Sequence, residues 1–585
     1  MLKSLQRFWI ITIVICLILG AFFSYIYFQD HAWGTWGDDS AGYIYLWGKM
    51  DQNKDLVYQE PLTVAALKFF GNEKLARWTT PTHHEIISPS GYVASKYPIG
   101  LSQIMLLFSR LFQDDKAIYY VLPLLATINL ILVYLISLIF FKDIKYKHFF
   151  SLLPAFMLGL ASLYYNYAIS QPMREIPSMF FLLAGYLFLL LAVEYYGSQN
   201  QKKDKIFFYT LIILASLFAG YSLNVRETSI MILPAFLIML FSISNRNAEP
   251  QEKNKNIKFK IKLALLALLM LIIAYIPSFI NSADITQFKE KFRAKDITSI
   301  AITSNFDHIS SFSLQNVFNN QGKFRPGRGA LPHYWGVMND NLAVWPCFIV
   351  LAIIGLYSIY KKNKWLSASL LLWILGVLII FSLWINPYSR YILPLFPILA
   401  ICGSYGLYAV CFKIVPHFFK NKRLQFLVCL IILLSLIISY LPAIIDIKTN
   451  FNENEDGEEK LVFKAISEND LFSLKGLGEK IYTDNKTDKP PLVVFSGTWQ
   501  YGISETFEAH TGIQGIHMPL EDKKNVFDKE QVKDFFTQEV FPNYNVYFWI
   551  DATSKSNSVD FINYFKVQPK YSYSLTFANP TIYGN

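Results

Sequence analysis

The chain has 585 residues, of which 53% are hydrophobic and only 16% are charged, and its mean hydropathy is +0.30. Ordinary soluble domains carry about 25% charged residues, so this composition excludes them and predicts a protein that resides in a bilayer. The 53 lysines and arginines exceed the 43 aspartates and glutamates, giving a net charge of +10. Because this excess lies in short loops between apolar segments, it indicates membrane orientation and argues against a nucleic-acid partner.

Eleven segments are apolar and approach the roughly 20 residues that a helix needs to cross a bilayer. We predict spans at residues 8–28, 118–141, 149–167, 176–196, 206–223, 229–244, 261–280, 341–360, 365–384, 391–411 and 424–445. The first follows a basic start, as a signal peptide does, but its apolar run is too long and lacks a small-residue cleavage site. We therefore interpret it as a retained anchor.

Short basic loops alternate along the chain and predict its orientation. If the N-terminus is cytoplasmic, the Lys/Arg-rich loops all face the cytoplasm, as the positive-inside rule requires; these loops are 142–148, 198–205, 245–260, 361–364 and 413–423. Residues 98–112 are too short for a span and are interpreted as a helix along the outer interface. The long segments 29–116 and 281–340 then lie outside the membrane, and the expected location is a bacterial or archaeal plasma membrane.

The tail after the last span differs in composition from the rest. Residues 450–460 read NFNENEDGEEK, and short apolar runs follow at residues 492–496 and 546–550, as is typical of buried strands. The predicted fold class is a polytopic α-helical membrane protein of about 11 transmembrane helices, with outer-face loops and a C-terminal soluble α/β domain. We expect the transmembrane domain at residues 1–445 and the extracytoplasmic domain at residues 446–585.

Two motifs of the first outer loop carry residues suited to chemistry. Asp38 and Asp39 lie in the motif WGDDSAGY, residues 36–43, and adjacent carboxylates can act as a general base or hold a metal, although a solvated turn is the alternative. Lys96 and Tyr97 lie in the motif SKYPIG, residues 95–100, just before the interfacial helix. A lysine at headgroup level can meet a lipid phosphate, or can simply snorkel.

Further charges collect at the outer ends of spans and in the second outer loop. Arg174-Glu175 and Arg226-Glu227 begin two spans, and such pairs are what a polar cavity needs, although they could also only anchor the interface. The second loop contains Arg325 and Arg328 between glycines and then His333, and it is either a phosphate-binding element or a flexible basic loop. Arg390-Tyr391 lies at the outer mouth of the tenth span.

No metal site or disulfide framework is predicted. The five cysteines lie in apolar segments without C-x-x-C spacing. The triplet His83-His84-Glu85 places three ligand-type residues in a row, which cannot easily converge on one ion. No cofactor is indicated. A divalent metal ion is compatible with the sequence, but no motif indicates one.

Three of these motifs, in this order, resemble those of the GT-C superfamily of membrane glycosyltransferases. The Gly37-Asp38-Asp39 stretch with Tyr43 resembles the acidic motif in their first outer loop. The SKYPIG motif is similar to the Lys-Tyr-Pro element of protein O-mannosyltransferases and lipid A aminoarabinose transferases. The late RYILP motif, residues 390–394, looks like their Arg-Tyr-Leu-Leu-Pro.

The resemblance implies an inverting enzyme that moves a sugar from a polyprenyl-phosphate carrier to an acceptor hydroxyl at the outer face of the membrane, with a lipid, a glycan or a protein as acceptor. Since phosphate is already a good leaving group, one carboxylate can suffice as base, and the roles are distributed accordingly. The implied base is Asp38, with Asp39 second and Glu175 orienting the acceptor or the base. The implied donor-phosphate ligands are Lys96, Arg226, Arg325, Arg328 and Arg390, and the implied sugar or acceptor contacts are Tyr97, His333 and Tyr391.

Three other protein classes fit the composition. A transporter or flippase should place charges near span centres or show broken helices at the midplane, whereas these charges collect at outer span ends. An O-antigen ligase or polymerase also uses a polyprenyl-linked donor and outer-loop arginines, but it should lack the early acidic and Lys-Tyr-Pro pair. A non-catalytic scaffold with an outer domain should bind no such donor.

Overall fold

The computed structural model describes most of the chain. The described residues are 2–29, 31–33, 38–81, 84–88, 90–169, 172–196, 204–243, 253–280, 312–319, 329–342, 348–384, 387–449, 467–496, 501–517, 529–551, 562–572 and 580–584. The following statements refer to these ranges.

Helices form most of the described chain. In order they are α1 (Leu2–Gln29), α2 (Asp38–Asp51), α3 (Pro61–Phe70), α4 (Glu73–Ala76), α5 (Gly100–Phe112), α6 (Val121–Phe140), α7 (Lys147–Gly159), α8 (Ser162–Ile169), α9 (Glu175–Tyr196), α10 (Asp204–Val225), α11 (Leu233–Ser242), α12 (Lys253–Ile280), α13 (Gln315–Phe318), α14 (Ala330–Leu342), α15 (Phe348–Lys362), α16 (Lys364–Leu383), α17 (Phe396–Ala409), α18 (Val415–Phe418), α19 (Lys422–Thr449), α20 (Glu468–Asp484), α21 (Tyr501–Thr511) and α22 (Lys529–Phe535). The strands are β1 (Val57–Gln59), β2 (His84–Ile86), β3 (Tyr92–Ser95), β4 (Pro491–Ser496), β5 (Gln514–His517), β6 (Asn545–Asp551), β7 (Gln568–Ser572) and β8 (Pro580–Gly584).

Seven helical segments of the described chain are long and apolar enough to cross a membrane, and an eighth results if α7 and α8, bent by 66°, form one broken span. The seven are Phe8–Gln29, Asp115–Phe140, Glu175–Tyr196, Lys205–Val225, Lys258–Ser278, Lys364–Leu383 and Ser389–Phe418. The expected count of eleven is therefore not confirmed. Residues 229–244 supply only part of a shorter apolar helix, Glu227–Ser242, and α15 has 15 residues, which is less than the length of a perpendicular span.

Two glycines let α15 and α17 cross at close range. A Cβ added at Gly355 would lie 1.8 Å from the carbonyl oxygen of Cys402, and one at Gly406 would lie 1.9 Å from that of Leu351. Small residues at such crossings allow backbones to pack directly. Helix α17 follows directly on the 3₁₀ turn Ser389–Leu395, which carries Arg390.

The described part of residues 29–116, the segment expected to be the first outer loop, contains helices and a small antiparallel sheet with strand order β1-β3-β2. Helix α5 follows the sheet and has 13 residues, too few to span a bilayer. Its side chains Leu107, Leu111 and Phe112 are all exposed. An amphipathic helix of this kind is suited to the interface, as expected for residues 98–112.

The C-terminal part contains a five-stranded sheet with strand order β5-β4-β6-β8-β7. Strands β5, β4 and β6 are parallel, and β8 and β7 run antiparallel to their neighbours. Strand β4 is buried from Leu492 to Ser496, because helices cover a parallel sheet on both faces. The predicted fold class, membrane helices followed by a C-terminal α/β domain, is confirmed.

The C-terminal sheet shares a hydrophobic core with the first outer loop. Leu62 and Ala66 of α3 lie in the same buried cluster as Phe535 and Val546. Trp78, between α4 and β2, stacks on the ring of Phe536 with a centroid distance of 6.1 Å. Because this apolar surface is hidden from water only while the two parts are together, they form one packed unit.

Candidate functional site

The first member of the candidate site, Asp39, lies in the first turn of α2. Its Oδ2 atom accepts a hydrogen bond of 2.7 Å from Nη2 of Arg390, and its Oδ1 atom accepts one from the Tyr97 hydroxyl. A carboxylate at a helix N-terminus is also stabilised by the helix dipole. Asp39 thus joins the acidic, Lys-Tyr-Pro and Arg-Tyr motifs, which are far apart in the sequence.

Arg390 connects Asp39 to a second carboxylate. Its Nε atom is 3.9 Å from Oε1 of Glu175, the first residue of α9, and its guanidinium lies 4.8 Å from the ring centroid of Tyr388 and 5.6 Å from that of Tyr391. Arginine over an aromatic face is a favourable cation–π arrangement. The side chain is only 14% exposed, so its positive charge is compensated by these neighbours and little by water.

Arg226 is the most deeply buried charge of the site, with 2% of its side chain exposed. Its Nη2 atom is 3.9 Å from Oε1 of Glu175, too far for a hydrogen bond. Within the described part of the chain, Nε, Nη1 and Nη2 of Arg226 have no hydrogen-bond partner. Its guanidinium lies 5.3 Å from the ring centroid of Phe381 and 5.4 Å from that of Tyr391. Arg226 therefore holds unused donors in a site of low dielectric constant, where unmet donors are costly.

A close backbone contact positions Arg226. At Gly100, the first residue of α5, an added Cβ would lie 2.5 Å from the carbonyl carbon of Asn224. The hydroxyl of Tyr221 donates to the carbonyl oxygen of Gly100 at 3.2 Å. The SKYPIG motif thus places the start of the interfacial helix directly on the end of α10, two residues before Arg226.

A third arginine and two tyrosines complete the site. The guanidinium of Arg174 lies 5.7 Å from the ring centroid of Tyr97, and the ring of Tyr43 lies 4.8 Å from that of Tyr97. Burial first, and then the negative charge of Asp39, raise the pKa of Tyr97 well above its ordinary value. Tyr97 is therefore a neutral donor and leaves Asp39 as the anion.

We call Asp39, Arg174, Glu175, Arg226 and Arg390 the charged cluster. It contains three guanidinium groups and two carboxylates, so these side chains carry an excess positive charge of one. Buried charge without compensation is unfavourable. The arrangement is suited to bind an anion, with carboxylates that keep the arginines oriented.

Other predicted site residues have different surroundings. Lys96 Nζ pairs with Oε1 of Glu85 at 2.5 Å, and both side chains are about one-third exposed. His333 Nε2 is 3.3 Å from Oγ of Ser389, the residue before Arg390. The side chains of Asp38, Arg325 and Arg328 lie outside the described residues, although the backbone of Asp38 begins α2. Among the described residues, no group of three His, Cys, Asp or Glu side chains could hold a metal ion.

Some members of the site were not assigned a role from the sequence. Arg174 is adjacent to Glu175, and that adjacency was the only signal for it. Phe381 and Tyr388 carried no signal, because aromatic residues at a span end are usually interface anchors. The approach of Arg226 to Glu175, 51 residues earlier in the chain, carried no sequence signal either.

Comparison with solved structures agrees with this architecture. The chain is similar to the apo oligosaccharyltransferase of Archaeoglobus fulgidus (TM-score 0.55, 11% identity, 92% of this chain and 69% of that one). It is also similar to ArnT of Cupriavidus metallidurans bound to undecaprenyl phosphate (TM-score 0.51, 10% identity, 99% and 98% covered). Both are GT-C membrane glycosyltransferases. The chain has the GT-C fold.

A third similar structure is the archaeal oligosaccharyltransferase AglB from the same Archaeoglobus species, in complex with an inhibitory peptide and a dolichol-phosphate (TM-score 0.54, 11% identity, 93% of this chain and 70% of that one). No protein-family model and no curated protein matches the sequence. The resemblance predicted from three short motifs is therefore confirmed for the GT-C fold.

The contact of Gly100 with α10 gives a test of how the site is assembled. Gly100→Val should destabilise the protein by about 1–3 kcal/mol, because its side chain would collide with backbone atoms that cannot move aside cheaply. Thermal unfolding in detergent measures this effect. The matched control is Gly336→Val in α14, where an added Cβ meets no atom within 4 Å. Equal stability of the two variants would contradict the close packing of α5 on α10.

Proposed function

We propose that the protein is a glycosyltransferase that takes a sugar from a polyprenyl-phosphate carrier and transfers it to an acceptor hydroxyl at the outer face of the membrane. The observation that carries this proposal is Arg226, a buried guanidinium whose hydrogen-bond donors have no partner among the described residues. Guanidinium groups bind phosphate through paired hydrogen bonds. The transferred sugar is a hexose or a pentose.

The same cluster suits the leaving group of the reaction. When the bond between the anomeric carbon and the phosphate oxygen breaks, negative charge develops on the phosphate. Fixed positive groups in a dry site stabilise such charge strongly. Arg226 and Arg390 would bind the departing phosphate. Lys96, Arg325 and Arg328 are further candidate ligands of the same phosphate. No general acid is needed, because phosphate leaves as an anion.

One carboxylate would activate the acceptor. Both oxygens of Asp39 already accept hydrogen bonds, from Arg390 and Tyr97, so Asp39 is better suited to hold these two groups than to take a proton. We therefore assign the base to Asp38, the preceding residue. Direct attack of the activated hydroxyl on the anomeric carbon would invert its configuration. Glu175, Tyr391 and His333 would orient the sugar or the acceptor.

The similar structures support a lipid carrier. ArnT was solved with undecaprenyl phosphate, and AglB with a dolichol-phosphate. The Archaeoglobus oligosaccharyltransferase was also solved tethered to an acceptor peptide. Their sequence identities to this chain are 12% or lower, so the carrier and the acceptor are proposals for this protein. The acceptor is a lipid, a glycan or a protein.

The charge distribution along α9 supports the orientation. Glu175 begins this helix in the charged cluster, and Glu194, about 28 Å away by helix rise, pairs with Lys142 at 2.5 Å. Lys142 belongs to the basic loop 142–148, which the positive-inside rule assigns to the cytoplasm. We therefore propose that the N-terminus is cytoplasmic and that the charged cluster and the C-terminal domain lie outside, at a plasma membrane.

Labelling on cells tests this orientation. A single cysteine introduced within residues 450–460 should react with a membrane-impermeant maleimide on intact cells, or on spheroplasts where an outer membrane is present. A cysteine within residues 198–205 is the matched control and should react only after lysis. The reverse pattern would overturn the orientation.

Transfer by the purified protein tests the reaction. Asp38→Asn should lower turnover by about 10²–10⁴-fold, the usual contribution of a placed base, with thermal stability close to that of the wild type. Asp143→Asn is the control, because this carboxylate pairs with Lys362. Both residues lie in basic loops at the end of the membrane helices opposite to the charged cluster. Full turnover of Asp38→Asn with a polyprenyl-phosphate sugar would assign the base to another residue.

Mass spectrometry of co-purifying lipids identifies the donor. We expect a polyprenyl-phosphate sugar to be enriched on Asp38→Asn, since this variant binds the donor and does not consume it. A polyprenyl-diphosphate oligosaccharide would instead support a ligase or polymerase. Absence of any polyprenyl lipid from both proteins, with recovery shown by a spiked standard, would favour a transporter or scaffold.

A further inference from the structure

Helix α2, which begins with Asp38 and Asp39, is buried on every side. Every residue from 40 to 49 is buried, including Lys49, whose side chain is 10% exposed. A helix with no solvent-facing stripe needs a partner on each face. On one face the partner is α5, since Ser102 donates to the carbonyl oxygen of Tyr43 at 2.8 Å and Trp47 Nε1 donates to Ser109 Oγ at 3.1 Å.

The partner on another face is α21 of the C-terminal domain. An added Cβ at Gly48 would lie 2.6 Å from Cα of Ala509, so the two backbones touch. Nε2 of Gln52 donates to the carbonyl oxygen of Ala509 at 3.3 Å. The end of α2 that is distant from Asp39 is therefore in direct backbone contact with the C-terminal domain.

A buried ion pair accompanies this contact. Lys49 Nζ is 3.3 Å from Oε1 of Glu508, and the Tyr45 hydroxyl donates to the same oxygen at 3.1 Å. Oε2 of Glu508 accepts from the backbone nitrogen of Gly515 at 3.1 Å. The ammonium of Lys49 lies 4.4 Å from the ring centroid of Tyr58. Removing either side chain while the helices stay packed would leave the other as a buried charge without its partner.

A second polar contact lies beside it. His510 Nδ1 is 2.9 Å from Oδ2 of Asp115, and His510 Nε2 is 2.9 Å from the Tyr119 hydroxyl. The ring of Trp47 lies 5.1 Å from that of His510. Asp115 and Tyr119 belong to the 3₁₀ turn Asp115–Tyr120 before α6. One turn of α21 therefore contacts both α2 and the start of a membrane span.

We propose that the C-terminal domain positions the catalytic end of α2, with Gly48, Lys49 and Glu508 as positioning residues that act on Asp38 and Asp39 through the helix. This inference rests on the proposed function for its catalytic meaning. Asp39 and Lys49 are separated by ten positions, about 15 Å along the helix axis. A displacement at the Gly48 contact would therefore be carried to Asp39, which must meet Arg390 and Tyr97. Misplacement by about 1 Å can cost about 10²-fold in rate.

Hydrogen exchange on the full-length protein in detergent tests the positioning directly. Gly48→Val should separate α2 from α21 and speed amide exchange in residues 40–47 as well as in α21. Gly476→Val is the matched control, because it makes the same change in a helix of the C-terminal domain where an added Cβ meets no atom within 4 Å. The milder variant Glu508→Gln, which keeps the side-chain shape, should have the same effect to a smaller degree even if Gly48→Val fails to fold.

The outcomes separate this inference from the proposed function. Faster exchange in α21 with unchanged exchange in residues 40–47 would overturn the inference, whatever the activity. Faster exchange in residues 40–47 supports it even if the wild type transfers no sugar, in which case only the proposed function fails. Where transfer is measured, turnover of Gly48→Val should fall by about 10²-fold with little change in donor affinity. Glu508→Asp should retain part of the turnover that Glu508→Gln loses. An equal loss of donor affinity would indicate a general loss of structure instead.

The packing of α2 and the first outer loop against the C-terminal domain should also depend on pH. The titrating group is Glu60, which is 8% exposed. Burial first, and then the negative charge of Glu508, raise the pKa of Glu60 from 4.5 to about 7. Its carboxylate Oε1 accepts from Nε2 of Gln514 at 2.9 Å. The titratable groups that face it are Glu508 of α21, Lys49 and Tyr45 of α2, Lys54, Tyr58 of β1, and Tyr544.

The direction of the pH effect follows because the protonated form of Glu60 is favoured when the first outer loop and the C-terminal domain are packed together. Between pH 4.5 and about 7 a separated Glu60 has lost its proton while a packed one retains it, so packing weakens as the pH rises through this range. Burial lowers the pKa of His510, which acts in the opposite sense. The test is therefore the difference between the wild type and Glu60→Gln. Protection factors of residues 40–47, corrected for intrinsic exchange, should fall less with pH in Glu60→Gln, and identical pH profiles would contradict the role of Glu60.

Discussion

The site is organised around one buried arginine whose hydrogen-bond donors have no partner among the described residues. Arg226 is 2% exposed, and its guanidinium has no hydrogen-bond partner within the described chain. Glu175 is 3.9 Å away and is shared with Arg390, which also pairs with Asp39. Because arginine does not lose its proton in proteins, these buried donors call for acceptors that the described side chains do not supply. A phosphate on a lipid carrier would meet that need.

The fold assembles this site from parts that are remote in sequence. Gly355 and Gly406 allow α15 to cross α17, which follows the turn carrying Arg390, and Gly100 allows α5 to rest on the chain just before Arg226. The C-terminal sheet shares its core with the first outer loop, and α21 closes over α2. The C-terminal domain is thus part of the construction of the site, although it supplies none of the charged cluster.

The sequence predicted the parts of the site better than their partners. Hydropathy revealed the membrane helices, and motif order revealed the GT-C fold, because both depend on local patterns. Asp39, Tyr97, Glu175, Arg226 and Arg390 were all singled out in this way. The sequence could not show that Arg226 approaches Glu175, that Lys96 pairs with Glu85, or that Gly48 meets Ala509. Those pairings depend on how distant helices cross and how strands pair, which no local pattern encodes. The count of eleven spans is not confirmed for a related reason, since composition alone does not set helix length.

Binding of undecaprenyl phosphate to the purified protein, followed by native mass spectrometry, tests the central claim most directly. Arg226→Met should weaken binding about tenfold or more relative to the wild type, because charged hydrogen bonds to the phosphate are lost. Lys142→Met, which removes a charge at the opposite end of α9, should bind as the wild type does. Equal affinity of the wild type and Arg226→Met would contradict the view that this buried arginine exists to hold a phosphate.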